Sequence, residues 1–145
     1  MTPLSSETIH ASCIAIGDAA VLIEGRSGAG KSDLALRLID RGAQLVSDDY
    51  TTLIRRGNVL VARAPANIVG KMEVRGIGIV DMPSVSDVTV RLIVAVVEAP
   101  PRMPGTGRVR TIAGVSIHEI ALPSLEPSAP IKVELALRRR SGEGS

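Results

Sequence analysis

Residues 25–32 read GRSGAGKS, and no other eight residues constrain this chain as much. The octet fits the phosphate-binding template G-x-x-x-x-G-K-[ST] at every constrained position. Its surroundings fit too. The apolar run Ala19-Ala20-Val21-Leu22-Ile23, closed by Glu24, reads as a buried strand. Residues 31–41 carry Leu34, Ala35, Leu38 and Ile39 at helical spacing. Strand, glycine loop and helix are what a phosphate cradle needs, because successive backbone N–H groups and a helix N-terminus present partial positive charge. Gly25, Arg26, Ser27, Gly28, Ala29 and Gly30 form the cradle; Lys31 would reach the β- and γ-phosphates, and the Ser32 hydroxyl would ligate Mg²⁺. Average residue usage puts a chance match in a chain this long at roughly one in two hundred. A turn that merely joined a strand to a helix would need neither the lysine nor the serine.

The rest of the composition narrows the partners. A chain of 145 residues is long enough for one domain with a real core. It has no Phe, no Trp and a single tyrosine, Tyr50, so the core must be built from Val, Ile, Leu and Ala. That suits β-branched strands. It also removes the aromatic platforms on which nucleic-acid bases stack, and it predicts weak discrimination between nucleotide bases. A formal charge of +2 is too small to argue for nucleic acid. The run Arg138-Arg139-Arg140 reads as a solvated helix C-terminus. One cysteine, Cys13, excludes an internal disulfide and reads as a buried small hydrophobe. No signal-peptide pattern and no membrane-length apolar run is visible, so a cytoplasmic protein without a membrane partner is expected.

Periodicity predicts strands over 10–16 and 19–23 joined by a Gly17-Asp18 turn, then the loop, the helix and a strand over 44–47. A hairpin follows over 51–55 and 59–63, with a loop or short helix over 65–70. Residues 88–97 read as a strand buried on both faces, 99–107 as a loop and 115–122 as another strand. A helix is expected over 131–140, with 141–145 as a frayed tail. There is no internal repeat.

A phosphate loop alone names no reaction. Asp48-Asp49 follows the strand after the loop's helix, where a parallel sheet would set it beside the phosphates. One carboxylate would take a proton from an attacking hydroxyl and the other would help hold Mg²⁺. Read alone, the pair fits an Asx turn as well. In the segment EVRGIGIVD over 73–81, Glu73 suits Mg²⁺ and Arg75 suits a phosphoryl oxygen, although a G-x-G turn before a buried strand accounts for the pattern too. His10 and His118 read, alone, as structural histidines.

Together, His10, the GRSGAGKS loop, Asp48-Asp49 and EVRGIGIVD, in this order, resemble the catalytic domain of the HPr kinase/phosphorylase family, clearly over about 10–98. The resemblance implies an α/β P-loop fold related to phosphoenolpyruvate carboxykinase, with a central mixed sheet and flanking helices. It implies an ATP- and Mg²⁺-dependent bacterial enzyme that phosphorylates a serine of HPr, the phosphocarrier of the sugar phosphotransferase system, and that assembles as a hexamer. By it, Lys31 binds the phosphates and Ser32 and Glu73 serve the metal, which leaves Asp48 as the member of the pair that would help hold Mg²⁺. Asp49 is the proton acceptor, and His10 is an active-site residue. The chain has no room for the family's N-terminal domain and is similar to a compact form found in alphaproteobacteria. The family's catalytic arginine lies in a D-R-L-G setting. Pro101-Arg102-Met103-Pro104 stands there, so Arg102 is favoured over Arg108 and Arg110. The P-V-R-P-G-R-N segment tied to dephosphorylation is replaced by residues 123–128, which lack arginine, so a kinase with weak or absent reverse activity is expected. Two other readings fit a phosphate loop: a small-molecule kinase, which needs a lid and a second pocket, and a nucleotide-binding regulatory module, which needs no base.

Overall fold

The computed structural model describes residues 6–98 and 108–143. The chain order is β1 (Ser6–Ile9), β2 (Ser12–Ile16), β3 (Ala19–Glu24), α1 (Lys31–Asp40), β4 (Gln44–Ser47), β5 (Thr51–Arg56) and β6 (Val59–Arg63). A 3₁₀ turn over Ala66–Ile68 leads to β7 (Lys71–Val74), β8 (Gly78–Asp81), β9 (Val88–Val96), β10 (Arg108–Ile112), β11 (Val115–Leu122) and α2 (Ala129–Glu143). The result is an α/β fold with a mixed nine-stranded sheet, ordered β1-β5-β6-β9-β3-β2-β4, with β11 also on β9 and β10 on β11.

Strand direction is what places the site. β2 lies between β3 and β4 and is antiparallel to both, so β3 and β4 run the same way. β9 is parallel to β3, and β11 is parallel to β9. The C-terminal ends of β3, β4, β9 and β11 therefore gather at one edge of the sheet, where open α/β sheets bind ligands. The expected parallel neighbourhood of Asp48-Asp49 and the phosphate loop thus arises with an antiparallel strand inserted between the two.

Two apolar layers flank the sheet. Leu34 and Leu38 of α1 and Val133 and Leu137 of α2 pack on Val21, Ile23, Leu92 and Val94. The opposite layer, from Cys13, Leu22, Leu53, Leu60, Val90, Ile93, Ile117 and their neighbours, is built from strand residues and Ala11. Both are aliphatic, as the lack of Phe and Trp requires. Cys13 is fully buried in the second layer, and desolvation pushes its thiol well above the ordinary range, so it is an inert hydrophobe.

Several expectations are corrected. The first strand does not begin at His10. That residue sits in the bend between β1 and β2, and β1 itself was not foreseen, because Ser6-Glu7-Thr8 is polar and exposed and forms an edge paired only with β5. The G-x-G segment is not a turn before a buried strand. It is the tip of a separate β7–β8 hairpin whose second strand is largely exposed, with Ile77 and Ile79 in solvent. β9 is buried over most of its apolar stretch after Arg91, as expected, and Arg91 itself is exposed, opposite a register shift in β3. β10 was missed, since Arg108-Val109-Arg110-Thr111-Ile112 alternates with only one buried residue. Helix α1 ends at Asp40, with Gly42 at a φ of 111° beyond it. Helix α2 begins two residues earlier than expected and takes in Ser141–Glu143, which had been read as tail. Residues 99–107, read as a loop, lie outside the described residues, and Arg102 with them. Among the described residues no helix is long and apolar enough to cross a membrane.

Candidate active site

The phosphate loop is held in shape by its own hydrogen bonds. The Ala29 N–H donates to the Arg26 carbonyl at 2.9 Å, and α1 opens with Leu34 N–H on the Gly30 carbonyl at 2.9 Å. Lys31 is 6% exposed, and its Nζ donates back to the carbonyls of Gly25 at 2.9 Å and Arg26 at 3.2 Å. Its ammonium thus lies over the concavity that the phosphates would fill. Any Cβ on Gly25 would sit 3.2 Å from the Val96 carbonyl oxygen, which holds the loop against the end of β9.

The segment after β11 braces the loop from the other side. Ser124 is buried, and its hydroxyl donates to the Ala29 carbonyl at 2.6 Å. Arg37 of α1 fastens that segment by donating to the carbonyls of Ser124 and Glu126. Gly30 has a φ of 95°, and a Cβ there would collide with the Ser124 hydroxyl. Gly30→Ala therefore carries a left-handed penalty and a clash together, and it should lower stability by about 2–3 kcal/mol. A thermal melt within about 1 °C of wild type would contradict that.

The two carboxylates after β4 diverge. Asp48 is 7% exposed and accepts three hydrogen bonds: Ser32 Oγ at 2.7 Å and Ser12 Oγ at 3.2 Å on Oδ1, and the Glu73 N–H at 3.1 Å on Oδ2. It ties β2, the phosphate loop and β7 to one group. Asp49 turns outward, with a φ of 67° and a side chain 53% exposed. Its Oδ1 lies 2.8 Å from His10 Nε2, whose ring stacks on Tyr50 at 5.0 Å between centroids. With Asp49 ionised, that Nε2–H is the donor, and the second carboxylate oxygen stays open to an incoming group.

Glu73 reaches the site through its backbone, and its own side chain is exposed. Among the described residues no three His, Cys, Asp or Glu side chains are grouped closely enough to hold a metal by themselves. Mg²⁺ in kinase sites is held by one or two carboxylates together with substrate phosphates. Buried Asp48 and the Ser32 hydroxyl are hard oxygen donors of that kind, so the residues present fit Mg²⁺. Arg110 is already engaged. Its guanidinium donates to Glu24 at 2.6 Å and to Glu119 at 3.1 Å. Those bonds, the one to Glu24 first, hold it protonated further up the scale than usual. His118 lies on β11, away from the strand ends that carry this site.

Sequence reasoning found His10, the loop, the aspartate pair and Glu73, which the fold brings to one edge. It missed Ser12 and Ser124. A serine opening an otherwise apolar strand was the one available signal for Ser12, and Ser124 carried none.

A family model for the HPr Serine kinase C-terminal domain matches residues 3–129. The chain belongs to this family. Among curated relatives, HPr kinase/phosphorylase of Clostridium acetobutylicum is 45% identical over 82 residues, covering 56% of this chain and 27% of that protein. The Limosilactobacillus reuteri protein of the same name is 34% identical over 131 residues, covering 81% of this chain and 41% of its own length. The chain thus spans well under half the length of these curated relatives. A solved structure, the HPr(Ser) kinase/phosphatase from Coxiella burnetii, superposes with a TM-score of 0.82 at 33% identity, covering 94% of this chain and 97% of that one. The mixed α/β architecture is therefore that of the family.

Proposed function

We propose that this chain is an ATP- and Mg²⁺-dependent serine kinase whose acceptor is the phosphocarrier HPr. The observation that carries the reading is the split between the aspartates. One is buried on the phosphate-loop serine, and the other is presented to solvent beside a histidine. A module that only bound nucleotide would gain nothing from the second. The relatives' names supply the acceptor class.

In this reading the serine hydroxyl of HPr docks against the open oxygen of Asp49. Asp49 accepts its proton as the serine oxygen bonds to the γ-phosphorus, and the bond to ADP breaks. His10 holds Asp49 in place. Lys31 leaves the loop carbonyls for the phosphates and offsets charge on the transferred group. Ser32, Asp48 and Glu73 would hold Mg²⁺, which would supply the remaining neutralising charge. Arg102 is proposed for the γ-phosphoryl. The phosphoenolpyruvate carboxykinase relationship of the P-loop, a hexameric assembly and a cytoplasmic location belong to the same reading.

The direct test is purified chain with labelled ATP, Mg²⁺ and HPr from the same organism. Acid-stable label on an HPr serine is expected. An unlabelled HPr beside measurable ATP binding would overturn the reading, and label on a small acceptor instead would replace it. The reverse reaction should be weak. The segment over 123–128 that packs on the loop does so through Ser124 and contains no arginine to aim inorganic phosphate at phosphoserine. Phosphate-driven release from phosphoserine-HPr is expected to run at least about tenfold slower than the forward reaction, the loss typical of a missing charged contact. Equal rates would refute this.

A further inference from the structure

Ser12 is fully buried at the start of β2, between Ala11 and Cys13, which are fully buried as well. The β2–β4 register pairs Cys13 with Ser47, so the next position along the ladder sets Ser12 beside Asp48. Its single hydroxyl serves both acidic residues. It donates to Asp48 Oδ1 at 3.2 Å and accepts the Asp49 N–H at 3.1 Å. The same Asp48 oxygen takes the phosphate-loop Ser32 at 2.7 Å.

We propose that Ser12 is a positioning residue that sets the divergence of the two aspartates, a role that rests on the phosphotransfer reading above. A hydroxyl has one proton to give and lone pairs to receive, and here both capacities are used inward. The donated bond keeps the Asp48 carboxylate turned to the loop. The accepted bond pins the backbone of Asp49, whose φ of 67° an L-residue adopts only at a cost. Without it the Asp49 N–H loses its partner and the turn is free to relax toward ordinary dihedrals. That relaxation swings the outward carboxylate away from His10 and from the acceptor. The role also accounts for a polar residue in a strand that otherwise reads Cys-Ile-Ala-Ile. An alanine or valine would suit the surrounding apolar layer better if packing were all that mattered.

The test compares Ser12→Val with Ser12→Thr, which differ by a methyl in place of a hydroxyl at nearly equal volume, with Ser12→Ala as the variant that adds no bulk. In Ser12→Val and Ser12→Ala, kcat for HPr phosphorylation should fall about 10- to 100-fold, the pattern of a displaced base, while KM for ATP·Mg²⁺ stays within about threefold because Asp48 keeps its bonds from Ser32 and the Glu73 N–H. Ser12→Thr should recover kcat to within about threefold of wild type. Amide hydrogen exchange at Asp49 needs no turnover. Its protection should drop at least about tenfold in Ser12→Val and Ser12→Ala and persist in Ser12→Thr. Unchanged kcat with unchanged exchange overturns the proposal. A parallel loss of kcat, ATP binding and melting temperature that threonine fails to rescue also overturns it, since that is a packing defect. If wild type labels no HPr, the kinase reading fails, and the Asp49 exchange alone then decides whether Ser12 sets the turn.

Discussion

Asp49→Asn is expected to cut phosphate transfer to HPr by about 10³-fold, near the middle of the range for loss of a positioned acid or base. The substitution is clean for physical reasons. Asparagine has the same volume and, like aspartate, tolerates the left-handed backbone that Asp49 adopts. It still accepts the hydrogen bond from His10 through its amide oxygen. What it lacks is the basicity to take a proton from a serine hydroxyl. Because the Asp49 side chain is turned to His10 and not to Ser32, Lys31 or the rest of the loop, ATP·Mg²⁺ affinity should hold within about threefold. Rapid-quench transfer rates and calorimetric nucleotide titration check both halves. A variant retaining a tenth or more of wild-type transfer would remove Asp49 from the role of base.

Asp48→Ala is expected to act on stability and metal use together. The carboxylate is buried and accepts from Ser12, Ser32 and the Glu73 backbone. Hydrogen bonds to charged groups contribute about 1.5–3 kcal/mol each, and water entering the gap restores part of that. A net loss of about 3 kcal/mol follows, which for a domain of this size lowers the melting temperature by about 10 °C. Ser32 also loses the acceptor that orients its hydroxyl, so the enhancement of ATP binding by Mg²⁺ should shrink by about tenfold or more. Thermal melts and titrations with and without Mg²⁺ measure the two effects. A melt within about 3 °C of wild type would mean that the three donors find other partners.

These expectations differ in how far the sequence supported them. The phosphate loop was legible in full because its chemistry is local. Its glycines, its lysine and its serine act within one turn, and the flanking strand and helix announce themselves by periodicity. The aspartate pair was legible as a pair, yet the division of labour within it was not. That division comes from a left-handed residue and from partners on β2 and α1, and neither leaves a trace in spacing. His10 read alone as structural. Its contact with Asp49 spans 39 positions of sequence. It exists because the chain bends at His10, where the first strand had been expected to start.

Glu73 was placed at the metal by resemblance, and the fold brings its backbone to Asp48 while its side chain faces solvent. The G-x-G segment misled for a different reason. Ile77 and Ile79 have the composition of a buried strand, but the hairpin packs on the core through Met72 and Val74, and nothing covers its outer side at Ile77 and Ile79 among the described residues. β1 and β10 were missed because edge strands need no apolar alternation to form. Their hydrogen bonds are supplied by β5 and β11.

By itself the sequence determined that a phosphate cradle would form on an aliphatic α/β framework, with two acids and a histidine available nearby. Loop chemistry and helix periodicity depend on neighbours a few residues away, so they are written locally. The β2–β3 hairpin was legible, but only the tertiary structure decided that β2 would also pair antiparallel with β4, and that Ser12 would therefore meet both aspartates. It also decided that Ser124 would close against Gly30 and that Arg110 would be spent on Glu24 and Glu119. Strand order and register are settled by which distant edges pair and which faces are buried together, a global competition that no window of sequence records.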